Sequence, residues 1–492
     1  MGIAALAPIA EAGVPTSLPG GDGAFVKSTI SGGVWRSTSE LLRNLPDSLS
    51  ILRFERALPK PDFTMQVGGG AALSPYSIAT ALPPGFMGLR IVPFISLAER
   101  YDSNVFFSPA LPGLRREDYV TTFNPGIFFL HNHPLINTSL QLATRGEYFV
   151  IHPGLSYAGF NGTVTFMMNE LARRVIAPGS SFLVSQNINY SPSLPGFTAG
   201  EQDTATTATT EIDTTTALVR STALFRVNTL SATTTVAGAV PLSSSVLFQA
   251  NYGYSLFRFG SSSLNEEVGG NLARTINSTA HSAQAGPAWR VTSSDTLSLR
   301  AVFEDADYGS GQGGYQAIGA SVGWNKVLTP FFTARVHGGA TRVDQDFGAA
   351  LGVASRTQGV AYTGGAAVTY ADGPQMLTLS YAVGLAPSFI AAVGPLQSHV
   401  VHVTAGRRLT ELFSVTGGFT YNRSEALEST VLLPGTFFES YSGYGGVNYR
   451  ISRQYFATVN YIIGTYRGNY FTSDVVAFGR NAVTFAISAY WF

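Results

Sequence analysis

Cysteine is absent from all 492 residues, which removes disulfides, thiolate metal sites and c-type haem attachment from this chain. Charge is scarce. Asp, Glu, Lys and Arg together make up 12%, about half the usual share of a globular domain. The 30 basic residues balance 30 acidic ones, so nothing in the composition asks for a polyanion or nucleic acid as partner. Long apolar runs are missing as well: no stretch reaches the ~18 residues that a membrane-spanning helix needs. The first residues, MGIAALAPIAEAG, carry an apolar run and an Ala10-Glu11-Ala12 cleavage-like pattern but no basic region before them. They read either as the remnant of a signal peptide (residues 1–12) or as an ordinary Ala-rich tail.

What the chain has instead is Gly (53), Phe (33) and Tyr (22) interleaved with Ser, Thr and Asn. In LFSVTGGFTYN, Phe413, Val415, Phe419 and Tyr421 share one side of an extended chain, and Ser414, Thr416, Gly418, Thr420 and Asn422 share the other. MLTLSYAVGL repeats the pattern from Met376. Strand side chains alternate between faces, so each segment has one apolar and one polar face. Such strands suit a wall between lipid and a polar lumen.

Links between these segments fall into two classes. Short ones lie at 131–134, 241–245, 292–295, 326–330, 371–374, 409–411 and 451–453, with a looser one at 172–181. Between them run mostly longer stretches rich in Gly, Ser, Thr and acidic residues, such as 344–359 and 423–440. That asymmetry predicts an all-β, transmembrane antiparallel up-and-down barrel with short periplasmic turns and long extracellular loops. Eight short-link hairpins, an opening strand at Leu89 and a closing strand ending at Phe492 give about eighteen strands, or sixteen if two weak early segments drop out. The barrel would occupy residues 88–492. Pro93 lies in the opening strand, which predicts either a bulge there or a place near the strand's start.

Residues 13–87 lack this alternation. They read as an N-terminal periplasmic extension or a lumen plug with one short helix, capped by Ser37 and Glu40. The Thr-rich run EQDTATTATTEIDTTT from Glu201 cannot bury a core and reads as an external loop.

The polar parity of the strands nominates Arg300, Glu304, Arg335, His337, His402 and Arg408 as lumen-facing. Their mixed signs predict weak ion selectivity, or charges that pair to hold a plug. His131 and His133 could form half of a metal site, but no second pair completes it. Asp305, Asp307, Asp344 and Asp346 read as turn caps before calcium ligands, and Asp102 and Asn104 as turn chemistry. No catalytic constellation, metal site or cofactor motif stands out, so the chain reads as a non-enzyme without cofactors.

LRIVPFISLAERYDSNVFF resembles the opening strand of the β-barrel porin type 2 family, in its apolar alternation, its Glu99-Arg100-Tyr101-Asp102 exit and the Asp102–Phe106 segment. The resemblance implies a Gram-negative outer-membrane barrel, often associated with exopolysaccharide systems, and supplies no ligand residues. Tyr490 and Phe492 resemble the C-terminal signal read by the barrel-assembly machinery, although Ala486 and Ser488 on the same side are small. The expected function is a porin-like channel for passive diffusion, or the outer-membrane element of an exopolysaccharide export system. The alternative is a plugged barrel serving as a sheath, receptor or adhesin. Expected partners are outer-membrane lipid, the assembly machinery and polysaccharide-export or other periplasmic proteins.

Overall fold

The computed structural model describes residues 66–67, 70–71, 89–106, 115–191, 227–262, 277–309, 313–347, 355–372, 374–386, 395–427, 437–469 and 476–491. The signal-like start, the capped helix at Ser37, the Thr-rich run and Phe492 lie outside them.

A small hairpin, β1 (Gln66–Val67) and β2 (Gly70–Ala71), precedes the main sheet. The strands that follow are β3 (Leu89–Asp102), β4 (Asp118–Asn132), β5 (Asn137–Phe149), β6 (Tyr157–Met167), β7 (Ser181–Ser191) and β8 (Val227–Pro241). Next come β9 (Val246–Ser262), β10 (Ser278–Arg290), β11 (Asp295–Tyr308), β12 (Gly313–Val327), β13 (Phe332–Phe347) and β14 (Ser355–Asp372). The last six are β15 (Gln375–Ala386), β16 (Leu396–Arg408), β17 (Phe413–Ala426), β18 (Phe437–Arg450), β19 (Tyr455–Gly468) and β20 (Val476–Tyr490). Each of β3–β20 pairs antiparallel with its neighbours in sequence, and β20 pairs with β3, which closes an eighteen-stranded barrel. Closure leaves no free edge strand, so backbone groups across the wall pair with a neighbouring strand, as a structure immersed in hydrocarbon requires.

The two faces separate as the alternation predicts. On β20, Val483, Phe485 and Ile487 are exposed outward, while Arg480, Thr484 and Ser488 point inward and are buried. β19 repeats this with Val459, Tyr461 and Ile463 outside and Thr458 and Asn460 inside. Aromatic rings gather at both ends of the outer surface. Phe332–Tyr370 and Phe413–Tyr449 sit near the short turns, with centroids 4.7 and 4.6 Å apart. Tyr101–Tyr119 and Tyr421–Tyr441 sit near the long loops, at 5.4 and 4.9 Å. Apolar strand centres between two aromatic girdles define a membrane-spanning wall. No helix among the described residues is long and apolar enough to cross a membrane.

Five of the short turns are built alike. Each starts with an aliphatic residue followed by Ser or Thr: Leu242-Ser243, Val291-Thr292, Leu328-Thr329, Leu409-Thr410 and Ile451-Ser452. The hydroxyl accepts from the amides two and three residues on, at 3.2 and 3.0 Å for Thr292 and again for Thr410. Ser243, Thr329 and Ser452 do the same within 3.1–3.3 Å. A short polar side chain thus satisfies turn amides that have no ladder partner. The turns are also stitched sideways: Arg290 N donates to Ser245 O, Val327 N to Ser294 O and Arg450 N to Leu412 O. The link between β6 and β7 is different, a seven-residue helix α1 (Asn169–Val175).

Pro93 makes no bulge. Its register with Ile127 runs through unbroken. β20 reaches it only at its end, where Trp491 N donates to Pro93 O at 3.0 Å. The missing proline donor therefore falls where the seam ladder stops.

Candidate functional site

The inner face mixes short polar side chains with buried apolar ones such as Phe94, Phe128, Phe149 and Tyr466, and several of the polar ones face each other across the strand pairs. Ser96 and Ser488 hydrogen-bond at 3.0 Å, Thr165 and Ser185 at 3.1 Å, and Thr369 and Thr378 at 3.4 Å. Each couple is directly opposed in register. Hydroxyls bonded to each other satisfy an inward polar face at little volume.

All six nominated residues lie on the inward parity of their strands. Arg300 on β11 donates to Gln249 Oε1 on β9 at 3.0 Å, across β10. The residue between them in register is Gly286, which has no side chain to obstruct the contact. Glu304 accepts from the Tyr315 hydroxyl on β12. Arg335 donates through Nε to Asn325 Oδ1 at 2.8 Å. His402 Nδ1 lies 2.9 Å from Thr420 Oγ1, its opposite number on β17. His337 packs against Gly365, where a Cβ would approach its ring to 2.8 Å. Arg408 ends β16 at the short-turn rim. The six are spread over three separated strands and form no single cluster.

A cluster does form elsewhere, at the long-loop end of the seam. Arg480 on β20 grips Asp102 on β3 with two parallel bonds, Nε to Oδ1 at 3.0 Å and Nη2 to Oδ2 at 2.5 Å. Asp102 also accepts from Asn104 N at 3.1 Å, and Arg100 Nε lies 3.6 Å from it. Arg100 continues to Glu147 on β5 at 3.4 Å, and Arg145 bonds the other oxygen of Glu147. The result is a charge lattice across β20, β3 and β5, with Arg480 and Asp102 only 5% and 1% exposed. Next to it, Asp118 accepts from the amides of Ile151 and His152 at 2.8 and 2.9 Å and meets His152 Nδ1 at 2.9 Å. This pins the link that contains a 3-10 turn at Pro153–Leu155.

Turn chemistry around Asp102 is legible in sequence, and the Asn104 bond expresses it. The arginine that dominates the site is not, because it lies 378 residues away. Among the described residues the inward acids Asp102, Asp118, Glu147 and Glu304 all sit in the long-loop half. Inward arginines occur at both ends, with Arg90, Arg290 and Arg450 near the short turns. The lumen's mixed signs are therefore sorted along the barrel axis.

His131 and His133 lie with tilted rings, their centroids 5.9 Å apart. Asp305, Asp307, Asp344 and Asp346 point outward near the ends of β11 and β13, and Arg342 bonds Asp344 at 3.3 Å. Among the described residues no group of three or more His, Asp or Glu is placed to hold a metal. Tyr490 faces inward, not toward lipid, and packs between Phe94 and Phe456 with centroids at 6.1 and 5.6 Å.

A closed barrel with an apolar outside and hydrogen-bonded polar groups on its inner face is the architecture of a transmembrane β-barrel protein. No family model matches the chain, and no curated relative does. Among solved structures it is similar to OccK3 (OpdO) of Pseudomonas aeruginosa, at 10% identity over 82% of this chain and 96% of that one, with a TM-score of 0.38. It is similar to the outer membrane protein opdK of the same organism, at 10% identity over 83% and 100%, with a TM-score of 0.41. The FrpB iron transporter of Neisseria meningitidis shares 7% identity over 81% of both chains, with a TM-score of 0.40. These likenesses are distant, and the membrane-spanning assignment stands on the barrel's own two faces.

Proposed function

We propose that the protein is an outer-membrane barrel that provides a polar conduit for small hydrophilic solutes. The observation that carries this reading is the closed eighteen-stranded wall with hydroxyl, amide and charged side chains on its inner face. Barrels of about sixteen to eighteen strands are wide enough to leave an aqueous lumen. The likeness of Leu89–Phe106 to the β-barrel porin type 2 family supports an outer-membrane location and a place beside exopolysaccharide export, with the short turns toward the periplasm. Purified protein in planar bilayers is expected to give discrete conductance steps with weak ion selectivity. Silent bilayers, with or without residues 13–87, overturn the channel reading.

A sealed barrel acting as a sheath or receptor is the second reading. It is favoured by the near-complete burial of inward residues such as Thr404, Ser424 and Asn104. Residues facing an open, water-filled lumen would keep more of their surface wet. Conductance that appears only after deletion of residues 13–87 supports this reading and names the seal.

A further inference from the structure

The short-turn rim carries a crown of exposed aliphatic side chains. Leu242, Val291, Leu328, Leu409 and Ile451 open five homologous turns, and each continues the outward parity of the strand before it. Val291 is 65% exposed and Leu242 64%. Turn tips in water favour polar residues, and repeated exposed aliphatics mark a contact surface. On the same rim α1 ends in Val175, 73% exposed, and is followed by Ile176.

The crown is continuous with the lipid-facing wall. Trp324 and Phe413 lie just above it on the outer surface, and the aliphatic residues prolong the same face past the last ladder bond. The charges beside it lean to one sign. Arg174, Arg407 and Arg453 are exposed next to Val175, Leu409 and Ile451, with Glu411 as the one exposed acid near the latter two turns. Lys326 and Asp295 hold each other at 3.2 Å. Aliphatic groups directed sideways, with cations at the tips, match the boundary between acyl chains and acidic headgroups.

We propose that the short-turn rim is a lipid-docking crown, seated in the headgroup layer of a leaflet rich in acidic phospholipid. The proposal rests on the membrane-spanning assignment and adds depth and headgroup preference to it. Because the chain has no cysteine, Val291→Cys, Leu409→Cys and Ile451→Cys can each be labelled singly with an environment-sensitive fluorophore. Ile487→Cys, paired with Leu97 at mid-wall, serves as the reference. In phosphatidylcholine vesicles containing phosphatidylglycerol, the turn labels are expected to emit blue-shifted and to be quenched by spin labels near the headgroup. Aqueous iodide should quench them at least threefold less than free dye. Raising the phosphatidylglycerol fraction should deepen the shift, and Arg174→Gln/Arg407→Gln/Arg453→Gln should abolish that increment. Turn labels that are water-like while the Ile487 label is lipid-quenched overturn the crown alone. A water-like Ile487 label overturns the spanning assignment beneath it. Deep turn labels that ignore phosphatidylglycerol overturn the acidic-headgroup assignment.

Discussion

Asp102 and Arg480 show how a single pair can carry a disproportionate share of a barrel's stability. Both side chains are almost wholly buried, so each charge has lost its hydration. Two parallel charge-assisted bonds, the Asn104 amide and the nearby Arg100 guanidinium offset that loss. Removing one partner leaves the other charged and dry, at a cost of about 3–5 kcal/mol. Asp102→Asn is therefore expected to lower the urea midpoint of the detergent-folded protein steeply. Asp102→Leu combined with Arg480→Met should recover most of the loss, since a hydrophobic pair of similar volume needs no hydration. Equal damage from the single and double variants would show that the pair does not act as a unit. Gln397 illustrates the opposite situation, a polar side chain on an outward strand position. The β14–β15 ladder ends at Gly364–Val383. Just beyond it, the Gln397 amide bonds both the N–H and the C=O of Tyr362, at 3.3 and 2.8 Å. A side-chain amide thus takes the place of a missing strand neighbour.

Among the elements, the short turns are the most uniform. One hydroxyl in each holds two amides, and a neutral hydrogen bond contributes about 0.5–1.5 kcal/mol net. Thr292→Val, Thr329→Val and Thr410→Val together are expected to slow refolding into vesicles and lower stability by about 3–9 kcal/mol in sum. The Thr→Ser set, which keeps the oxygen, should behave as the parent. Full retention of stability in the valine set would mean that the sideways stitching alone fixes these turns. The strands themselves were readable from period-two alternation, down to the faces of Phe413–Asn422 and Leu377–Val383. Their upper ends were not. β13 runs to Phe347 and β14 starts at Ser355, although 344–359 has the composition of a loop. Hydrogen-bonded ladders continue past the hydrophobic band into water, where no apolar face is needed and alternation fades. The α1 link escaped for a related reason: seven residues are too few to establish a helical period.

For the molecule as a whole, the outer face decides the class of protein, and it can be tested at one point. Ile487 lies on the outward side of β20, paired with Leu97 midway between Trp491 and the Tyr101 girdle. Ile487→Arg is expected to cost about 2–4 kcal/mol in phospholipid vesicles, as a charge at the bilayer midplane does. Thr484→Ser, three residues back and inside, should be near neutral. Loss-free Ile487→Arg would argue that this surface never meets lipid. The same alternation nominated Arg300, Glu304 and His402, because it assigns a face without any knowledge of neighbours. The seam lattice was hidden because alternation says nothing about which strand closes the ring.

That lattice has a bearing on the order of events in assembly. Asp102 leaves the first barrel strand and Arg480 enters the last, so neither meets its partner until nearly the whole sheet has been laid down. Until then a growing sheet carries an aspartate at one free margin and an arginine at the other, each in need of water. A sheet that stops one hairpin short has no Arg480 to offer and leaves Asp102 beside whichever strand tries to substitute. Ring size is thereby checked by charge: a sixteen-strand closure would bury Asp102 without the paired bonds of Arg480, while the full complement supplies both in a single step.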